Sequence, residues 1–102
     1  MQEWSHEVIV ESLQKNKICL LYLYTPLCGT CQLAGKMLSV ITELLPHIEM
    51  GKADLNYLPY FAELWEIESV PCLIVLKDGQ LVEKIYAFHS VPYLAEKIKN
   101  LL

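Results

Sequence analysis

Two cysteines, Cys28 and Cys31, stand two residues apart, between an apolar strand-like run and a helix-like segment. A cysteine at the start of a helix lies beside unpaired backbone N–H groups and the positive end of the helix dipole, which both favour a thiolate. A thiol in such a place can have a pKa well below the ordinary value of roughly 8.5. Cys31 follows one helical turn later, where it can attack a mixed disulfide formed at Cys28. The spacing therefore predicts a reactive dithiol.

The same spacing also occurs in metal sites and among inert buried thiols. A zinc or iron–sulfur site needs further cysteines, and Cys19 and Cys72 are isolated single positions. We interpret Cys19, inside an apolar run, as a packing residue. Alternation along a strand would turn the sulfur of Cys72 into the core, although an auxiliary redox or metal role stays an alternative for it.

Composition indicates one folded domain over residues 1–102. The chain is 54% hydrophobic and 20% charged, with 4 glycines and 5 prolines, and it has no low-complexity tract or linker. The formal charge of −4 and the absence of arginine argue against nucleic acid as a partner. The longest apolar stretch, Ile18 to Cys28, is shorter than the roughly 20 residues of a membrane span.

Compartment and assembly are expectations of the same kind. The segment from Met1 to Trp4 has neither the basic nor the apolar region of a secretory signal. The few, unevenly spaced cysteines do not resemble the framework of a secreted, disulfide-stabilised domain. We therefore expect a cytoplasmic protein, and we also expect a monomer.

Hydrophobic periodicity predicts a mixed sheet covered by helices on both faces. The predicted elements are a helix over Ser5–Asn16, a strand over Ile18–Tyr24, a helix over Gly29–Leu45, a strand over Ile48–Ala53, a helix over Pro59–Trp65, strands over Cys72–Lys77 and Leu81–Ala87, and a last helix that Ser90 caps. The predicted inward apolar positions include Leu33 and Leu44 on the second helix and Leu64 on the third. The Asp78-Gly79 pair predicts a tight antiparallel hairpin, and the strand–helix–strand order predicts a parallel pair.

Three features together resemble the thioredoxin family over nearly the full length of the chain. The segment Cys28-Gly29-Thr30-Cys31 occupies the strand-to-helix position of the family's redox motif. Val70-Pro71 stands before the hairpin where the family has its cis-proline, and Lys77-Asp78-Gly79 resembles the family's Lys-Asn-Gly turn. The resemblance implies an α/β thioredoxin-like fold.

The resemblance also implies a thiol–disulfide oxidoreductase that acts on protein disulfides. Cys28 would attack the substrate disulfide and Cys31 would resolve the mixed disulfide. The positions implied for substrate binding are Gly29, Thr30, Val70 and Pro71. No cofactor or metal is expected, because the dithiol itself carries the electrons, and a thiol reductase would supply them. The alternative is a thioredoxin-fold redox sensor, adaptor or metal-binding module without turnover.

Several positions depart from the family pattern. Tyr22 stands where thioredoxin has a buried acidic residue, Leu27 replaces a tryptophan, and Thr30 replaces the proline of the motif. Lys52 matches the family's buried lysine, and Cys72 directly follows Pro71, which would lie near the motif in this fold. Lys52, Tyr22 and Cys72 are therefore the candidate auxiliary residues. Thr30 keeps a backbone donor that proline lacks, which predicts a stabilised thiolate and a more oxidising dithiol.

The start of the chain also departs from the pattern. The first predicted helix begins at Ser5, so the family's N-terminal strand would be missing or reduced to a few residues. We therefore expect a sheet of about four strands.

Overall fold

The computed structural model describes residues 1–15 and 17–102, and its centre is a mixed five-stranded sheet in the order β1-β3-β2-β4-β5. The strands are β1 (Gln2–Glu3), β2 (Ile18–Tyr24), β3 (Glu49–Asp54), β4 (Cys72–Lys77) and β5 (Gln80–Ile85). The helices are α1 (His6–Leu13), α2 (Gly29–Leu44), α3 (Pro59–Leu64) and α4 (Val91–Leu101), with a short 3-10 turn at Leu55–Tyr57. None of the helices in these two ranges combines the length and the apolar character that a membrane span requires.

The prediction of about four strands is wrong by one, because the N-terminal strand is present. Gln2 and Glu3 pair in parallel with Gly51 and Lys52 of β3. Trp4 follows at once, and its indole covers Gly51 so closely that a Cβ on that glycine would overlap the ring. Two residues carry no hydrophobic period, so a strand this short leaves no signal in the sequence.

Strand β2 lies in the middle of the sheet, parallel to β3 and antiparallel to β4. Successive side chains of a strand point to opposite faces. Leu20 and Tyr22 therefore join the core under α2 and α4, whereas Cys19, Leu21 and Leu23 join the core under α1 and α3. We call these two sides the α2/α4 face and the α1/α3 face. Because both are covered, β2 is apolar almost throughout, as the sequence predicts for a central strand.

The helices are present where periodicity predicts them, with shorter ends. Ser5 caps α1 by accepting a hydrogen bond from the Val8 N–H, and the helix ends at Leu13. Asn16, the predicted end, lies outside the described residues. The prediction that Leu33, Leu44 and Leu64 face inward is wrong, since each is more than half exposed. Each helix buries a narrower stripe than its apolar composition suggests.

The β4–β5 hairpin forms as predicted at Asp78 and Gly79, which both have positive φ, at 53° and 79°. Asp and Gly tolerate this backbone region, which a tight antiparallel turn requires. At the opposite end of β4, the peptide bond between Val70 and Pro71 is cis. Because β2 and β4 are antiparallel, the start of β4 lies at the same end of the sheet as the end of β2.

Candidate active site

Cys28 occupies the cap position at the start of α2. Strand β2 ends at Tyr24, and a tight turn follows in which the Cys28 N–H bonds to the carbonyl of Thr25. Cys28 has extended backbone angles, φ −87° and ψ 108°, and no side chain caps the first turn of the helix. The N–H groups of Gly29 and Thr30 begin that turn directly after Cys28, and together with the helix dipole they favour negative charge at this end of the helix.

Cys31 completes the pair from inside the first turn of α2. The two residues form a disulfide, with their Cα atoms 5.3 Å apart. Cys31 is only 5% exposed, whereas Cys28 is half-buried. The two sulfurs thus differ in access to an incoming disulfide, as the predicted roles of nucleophile and resolving thiol require.

Two groups contact the Cys28 sulfur from outside the pair. The Thr30 hydroxyl oxygen lies 3.5 Å from Sγ, and the Val70 carbonyl oxygen lies 3.8 Å from it. The cis-proline loop, Val70 and Pro71, is therefore beside the dithiol. Gly29 leaves the other side open, because a Cβ built on it meets no atom within 4 Å. The four predicted substrate-binding residues therefore lie around Cys28: Gly29, Thr30, Val70 and Pro71.

Tyr22 approaches Cys31 from the sheet. Its side chain is buried on the α2/α4 face, and its hydroxyl donates a hydrogen bond to the Cys31 carbonyl. Burial raises the pKa of Tyr22 to about 12, so the phenol stays protonated near neutral pH. Tyr22 therefore acts as a donor that ties the first turn of α2 to β2, and it supplies no base.

Lys52 of β3 is paired in register with Tyr22 of the neighbouring strand β2. Its ammonium nitrogen is 5.8 Å from the ring centroid of Tyr24. A cavity of about 480 Å³ extends from these residues to the dithiol, and its lining includes Tyr22, Lys52, Lys36, Ser39 and both cysteines. Lys52 and Tyr22 thus share one cavity with the cysteines, and their auxiliary roles stay a prediction.

Some residues of this region were not predicted as site residues. Gly35 and Ser39 line the cavity with Cys31. They follow Cys31 at intervals of four residues on α2, and this helical spacing is visible in the sequence. Leu27 is 98% exposed immediately before Cys28. An exposed leucine beside a reactive thiol offers apolar contact to a protein substrate.

The structure does not bring Cys19 or Cys72 to the dithiol. Both are free, buried thiols on the α1/α3 face. Burial raises the pKa of each to about 11; the Glu49 carboxylate adds to this at Cys19, and the Tyr86 hydroxyl opposes it at Cys72. Cys72 packs into the core as strand alternation predicts. Over residues 1–15 and 17–102, no group of three or more His, Cys, Asp or Glu side chains is placed to hold a metal ion.

Comparisons with known proteins agree with this arrangement. Residues 1–100 match the family model described as Thioredoxin. The chain is 55% identical over 86 residues to the thioredoxin-like protein YusE of Bacillus subtilis, covering 84% of this chain and 81% of that protein. It is 35% identical over 91 residues to a thioredoxin of Staphylococcus aureus, covering 84% of each.

Solved structures show the same fold. The oxidised form of mitochondrial thioredoxin 3 from Saccharomyces cerevisiae superimposes with a TM-score of 0.85 at 23% identity, covering 98% of this chain and 94% of that one. The extra strand leaves the fold class as predicted, a mixed sheet with helices on both faces. The chain therefore belongs to the thioredoxin family and is a thiol–disulfide oxidoreductase.

Proposed function

We propose that this protein reduces or exchanges disulfide bonds of other proteins, with Cys28 as nucleophile and Cys31 as resolving thiol. The observation that carries the proposal is the unequal placement of the two sulfurs. Cys28 is half-buried at a helix start beside the cis-proline loop, whereas Cys31 is 5% exposed behind it. An incoming substrate disulfide can reach the Cys28 sulfur. The Cys31 sulfur can then attack only the mixed disulfide formed at Cys28.

The reaction proceeds in two exchanges. The Cys28 thiolate attacks one sulfur of the substrate disulfide, forming a mixed disulfide and releasing the other substrate sulfur as a thiolate. Cys31 then loses its proton and attacks the Cys28 sulfur, which releases the second substrate thiolate. The substrate gains two electrons and two protons, and the protein ends as the Cys28–Cys31 disulfide. A reducing dithiol donor must reopen that bond before the next turnover.

Among the described residues that line the cavity beside Cys31, none is a carboxylate that could accept the proton of the resolving thiol. Tyr22 is protonated near neutral pH and already donates to the Cys31 carbonyl. Lys52 and Lys36 line the cavity next to Cys31, and their ammonium groups favour a developing thiolate. We therefore assign proton transfer to water in this cavity, with Lys52 as an electrostatic auxiliary residue.

Substrate binding is assigned to the rim around Cys28. Gly29 leaves space in front of the helix start, Val70 and Pro71 line one side, and Leu27 projects into solvent. An extended substrate segment beside the cis-proline loop would bring its disulfide to Cys28. Apolar contact with Leu27 would add binding energy without a requirement for one sequence.

The partners follow from this chemistry. The substrates are proteins with accessible disulfides, and the donor is a thiol reductase. Two free buried thiols, Cys19 and Cys72, fit a reducing compartment, which supports the expectation of a cytoplasmic protein. The monomeric state stays a prediction, to be checked by sedimentation.

The test combines turnover with trapping. Wild-type protein should accelerate the reduction of insulin by dithiothreitol, and Cys28→Ser should lose this acceleration. Cys31→Ser should accumulate a mixed disulfide with an insulin chain, detectable by mass spectrometry and reversed by excess thiol. Cys19→Ala is the matched control, because it removes a cysteine that lies away from the site.

Two outcomes would overturn the proposal. If wild type accelerates reduction while Cys31→Ser forms no mixed disulfide and Cys28→Ser does, the two roles are reversed. If wild type closes its disulfide with mild oxidant but does not accelerate insulin reduction, the protein is a redox sensor or adaptor without turnover.

A further inference from the structure

The Cys28 sulfur has two neighbours of opposite hydrogen-bonding character. The Thr30 hydroxyl, 3.5 Å away, can donate a hydrogen bond to sulfur. The Val70 carbonyl oxygen, 3.8 Å away, can only accept one. A thiol, a thiolate and a disulfide sulfur will therefore respond differently to these two neighbours.

The Thr30 hydroxyl is available to the sulfur because of its place in the helix. Hydroxyl groups farther along α2 bond to carbonyls of the preceding turn, as Ser39 does to Gly35 and Thr42 does to Ser39. Thr30 is the second residue of α2, and the residue four positions before it, Pro26, lies outside the helix. The Thr30 hydroxyl instead lies within hydrogen-bonding distance of the Cys28 sulfur, its one such partner among the described residues.

Charge decides which form of Cys28 gains most from Thr30. Hydrogen bonds to an ionised acceptor are roughly twice as strong as those between neutral groups. A disulfide sulfur is a weak acceptor, and a thiol can instead donate its proton to the Val70 carbonyl. The Thr30 bond is therefore strongest in the thiolate, whereas the Val70 carbonyl favours the neutral thiol.

We propose that the Thr30 hydroxyl is a further catalytic residue, which donates a hydrogen bond to the Cys28 thiolate and so raises the fraction of reactive protein. This inference deepens the proposed function, since it takes Cys28 as the nucleophile. It gives the third residue of the motif a role through its side chain, in addition to the backbone N–H expected from the sequence.

The same bond affects both directions of exchange. When Cys28 attacks a substrate, its negative charge passes to the departing substrate thiolate, and the Thr30 bond weakens as the new S–S bond forms. When a dithiol donor reopens the protein's disulfide, its first thiolate attacks the Cys28 sulfur and releases Cys31 as a thiolate. Its second thiol then attacks the first donor sulfur and releases the Cys28 thiolate, so the charge returns to the Cys28 sulfur and the Thr30 bond strengthens. Thr30 therefore favours the reduced protein and makes the dithiol a stronger oxidant.

The experiment compares Thr30→Val, which keeps the shape without the hydroxyl, with Thr30→Ser, which keeps the hydroxyl. Each change is made in Cys31→Ser protein, and the rate of iodoacetamide alkylation of Cys28 is followed against pH. We expect the midpoint for Thr30→Val to move up by about one pH unit, equivalent to about a tenfold loss of thiolate below the midpoint. Thr30→Ser should keep the original midpoint.

A second measurement uses the intact dithiol. In a glutathione buffer at pH 8, Thr30→Val should shift the equilibrium toward the closed disulfide by up to about tenfold. Thr30→Ser should stay within about twofold of wild type, because it retains the charge-assisted donor. Urea unfolding of each variant controls for a general loss of structure.

Some outcomes would overturn the inference. If Thr30→Val and Thr30→Ser move the midpoint equally, side-chain shape and not the hydroxyl is responsible. If neither variant moves it, the hydroxyl does not act on the thiolate. Neither measurement needs a protein substrate, so the two proposals can fail separately. An empty Cys31→Ser trap together with the expected Thr30→Val shift would reject the proposed function and leave only the effect of the Thr30 hydroxyl on the Cys28 thiolate.

Discussion

The four cysteines divide into two regions of the fold that differ in chemistry. Cys28 and Cys31 form a disulfide at the end of the sheet, whereas Cys19 and Cys72 are free thiols inside the α1/α3 face. Cys72 comes two positions after Val70, whose carbonyl contacts the Cys28 sulfur, yet it is fully buried on the opposite face. Proximity along the chain therefore says little about reactivity; the side of the strand and the access of solvent determine it.

The physical basis of the difference is desolvation. Burial penalises the thiolate at Cys19 and Cys72 and raises the pKa of each to about 11. At Cys28 the chain instead provides helix N–H groups, a hydroxyl donor and partial exposure. Variants and probes that act on one region should leave the other unchanged.

The largest expected difference is in alkylation rate. At pH 8, a thiol with a pKa of about 11 is ionised in about one molecule per thousand. In reduced native protein we therefore expect Cys28, if it is largely ionised, to react with iodoacetamide up to about a thousandfold faster than Cys19 or Cys72 through ionisation alone. Peptide mapping by mass spectrometry measures the three rates. All cysteines should react at similar rates in denaturant, and labelling of native Cys72 at a rate near that of Cys28 would contradict the division.

Removal of a buried sulfur should affect stability and not redox chemistry. Cys72→Ala leaves a small cavity on the α1/α3 face, and we expect the free energy of unfolding to fall by about 1–2 kcal/mol. Urea unfolding measures this loss. The equilibrium constant of the Cys28–Cys31 disulfide with glutathione should stay within about twofold of wild type. A larger change in that constant would give Cys72 an auxiliary redox role after all.

Two tyrosines on β2 offer a matched comparison within the active region. Tyr22→Phe removes the donor to the Cys31 carbonyl, while Tyr24→Phe removes a bond to Glu3 at 2.8 Å. The first change should lower stability by about 1 kcal/mol and alter the glutathione equilibrium constant severalfold, because the resolving cysteine is held less firmly. The second should leave that constant unchanged. Equal effects would mean that the Tyr22 hydroxyl contributes stability alone.

The smallest expected effect concerns Glu49, which pairs in register with Cys19. Burial alone would raise the pKa of Glu49, but the bond from the Lys17 ammonium at 3.0 Å, with Lys15 and Ser12, lowers it below the ordinary value. A lowered folded-state pKa stabilises the protein at neutral pH, and this contribution is lost as the pH falls through that pKa.

Glu49→Gln should therefore lower the free energy of unfolding by less than about 1 kcal/mol at pH 7, because the group is partly exposed. The difference from wild type should vanish at pH values below the folded-state pKa. The substitution should also lower the pKa of Cys19, because the Glu49 carboxylate raises that pKa in the wild type. Unfolding of both proteins at several pH values checks the sign. A difference that grows in acid would mean that the carboxylate destabilises the fold.

The sequence predicts the long elements and the dithiol because both carry strong local signals. Strand β2 is continuously apolar, and Asp78-Gly79 has the turn chemistry of a hairpin. Alternation along β4 was enough to predict that Cys72 points into the core. These features depend on residues that are close together in the chain, so the local sequence pattern is enough to predict them.

Contacts between distant segments carry no such signal. Strand β1 forms because Gly51 leaves room for Trp4, and nothing near Gln2 indicates this. The contact between Val70 and Cys28, and the register that sets Lys52 beside Tyr22, depend on the folded sheet. The family resemblance supplies what periodicity cannot, and the side-chain contacts of Tyr22 with the Cys31 carbonyl and of Thr30 with the Cys28 sulfur are visible only in the folded structure.

The positions of the two tryptophans give the protein a useful optical property. Leu27 stands directly before Cys28, while Trp4 covers Gly51 and Trp65 stacks on Phe61 with ring centroids 4.6 Å apart. Both indoles belong to the α1/α3 face, across the sheet from the disulfide and its power to quench emission. Intrinsic tryptophan fluorescence should therefore change on unfolding and change little on oxidation of the dithiol. A fluorescence measurement without an added dye would then report unfolding separately from oxidation.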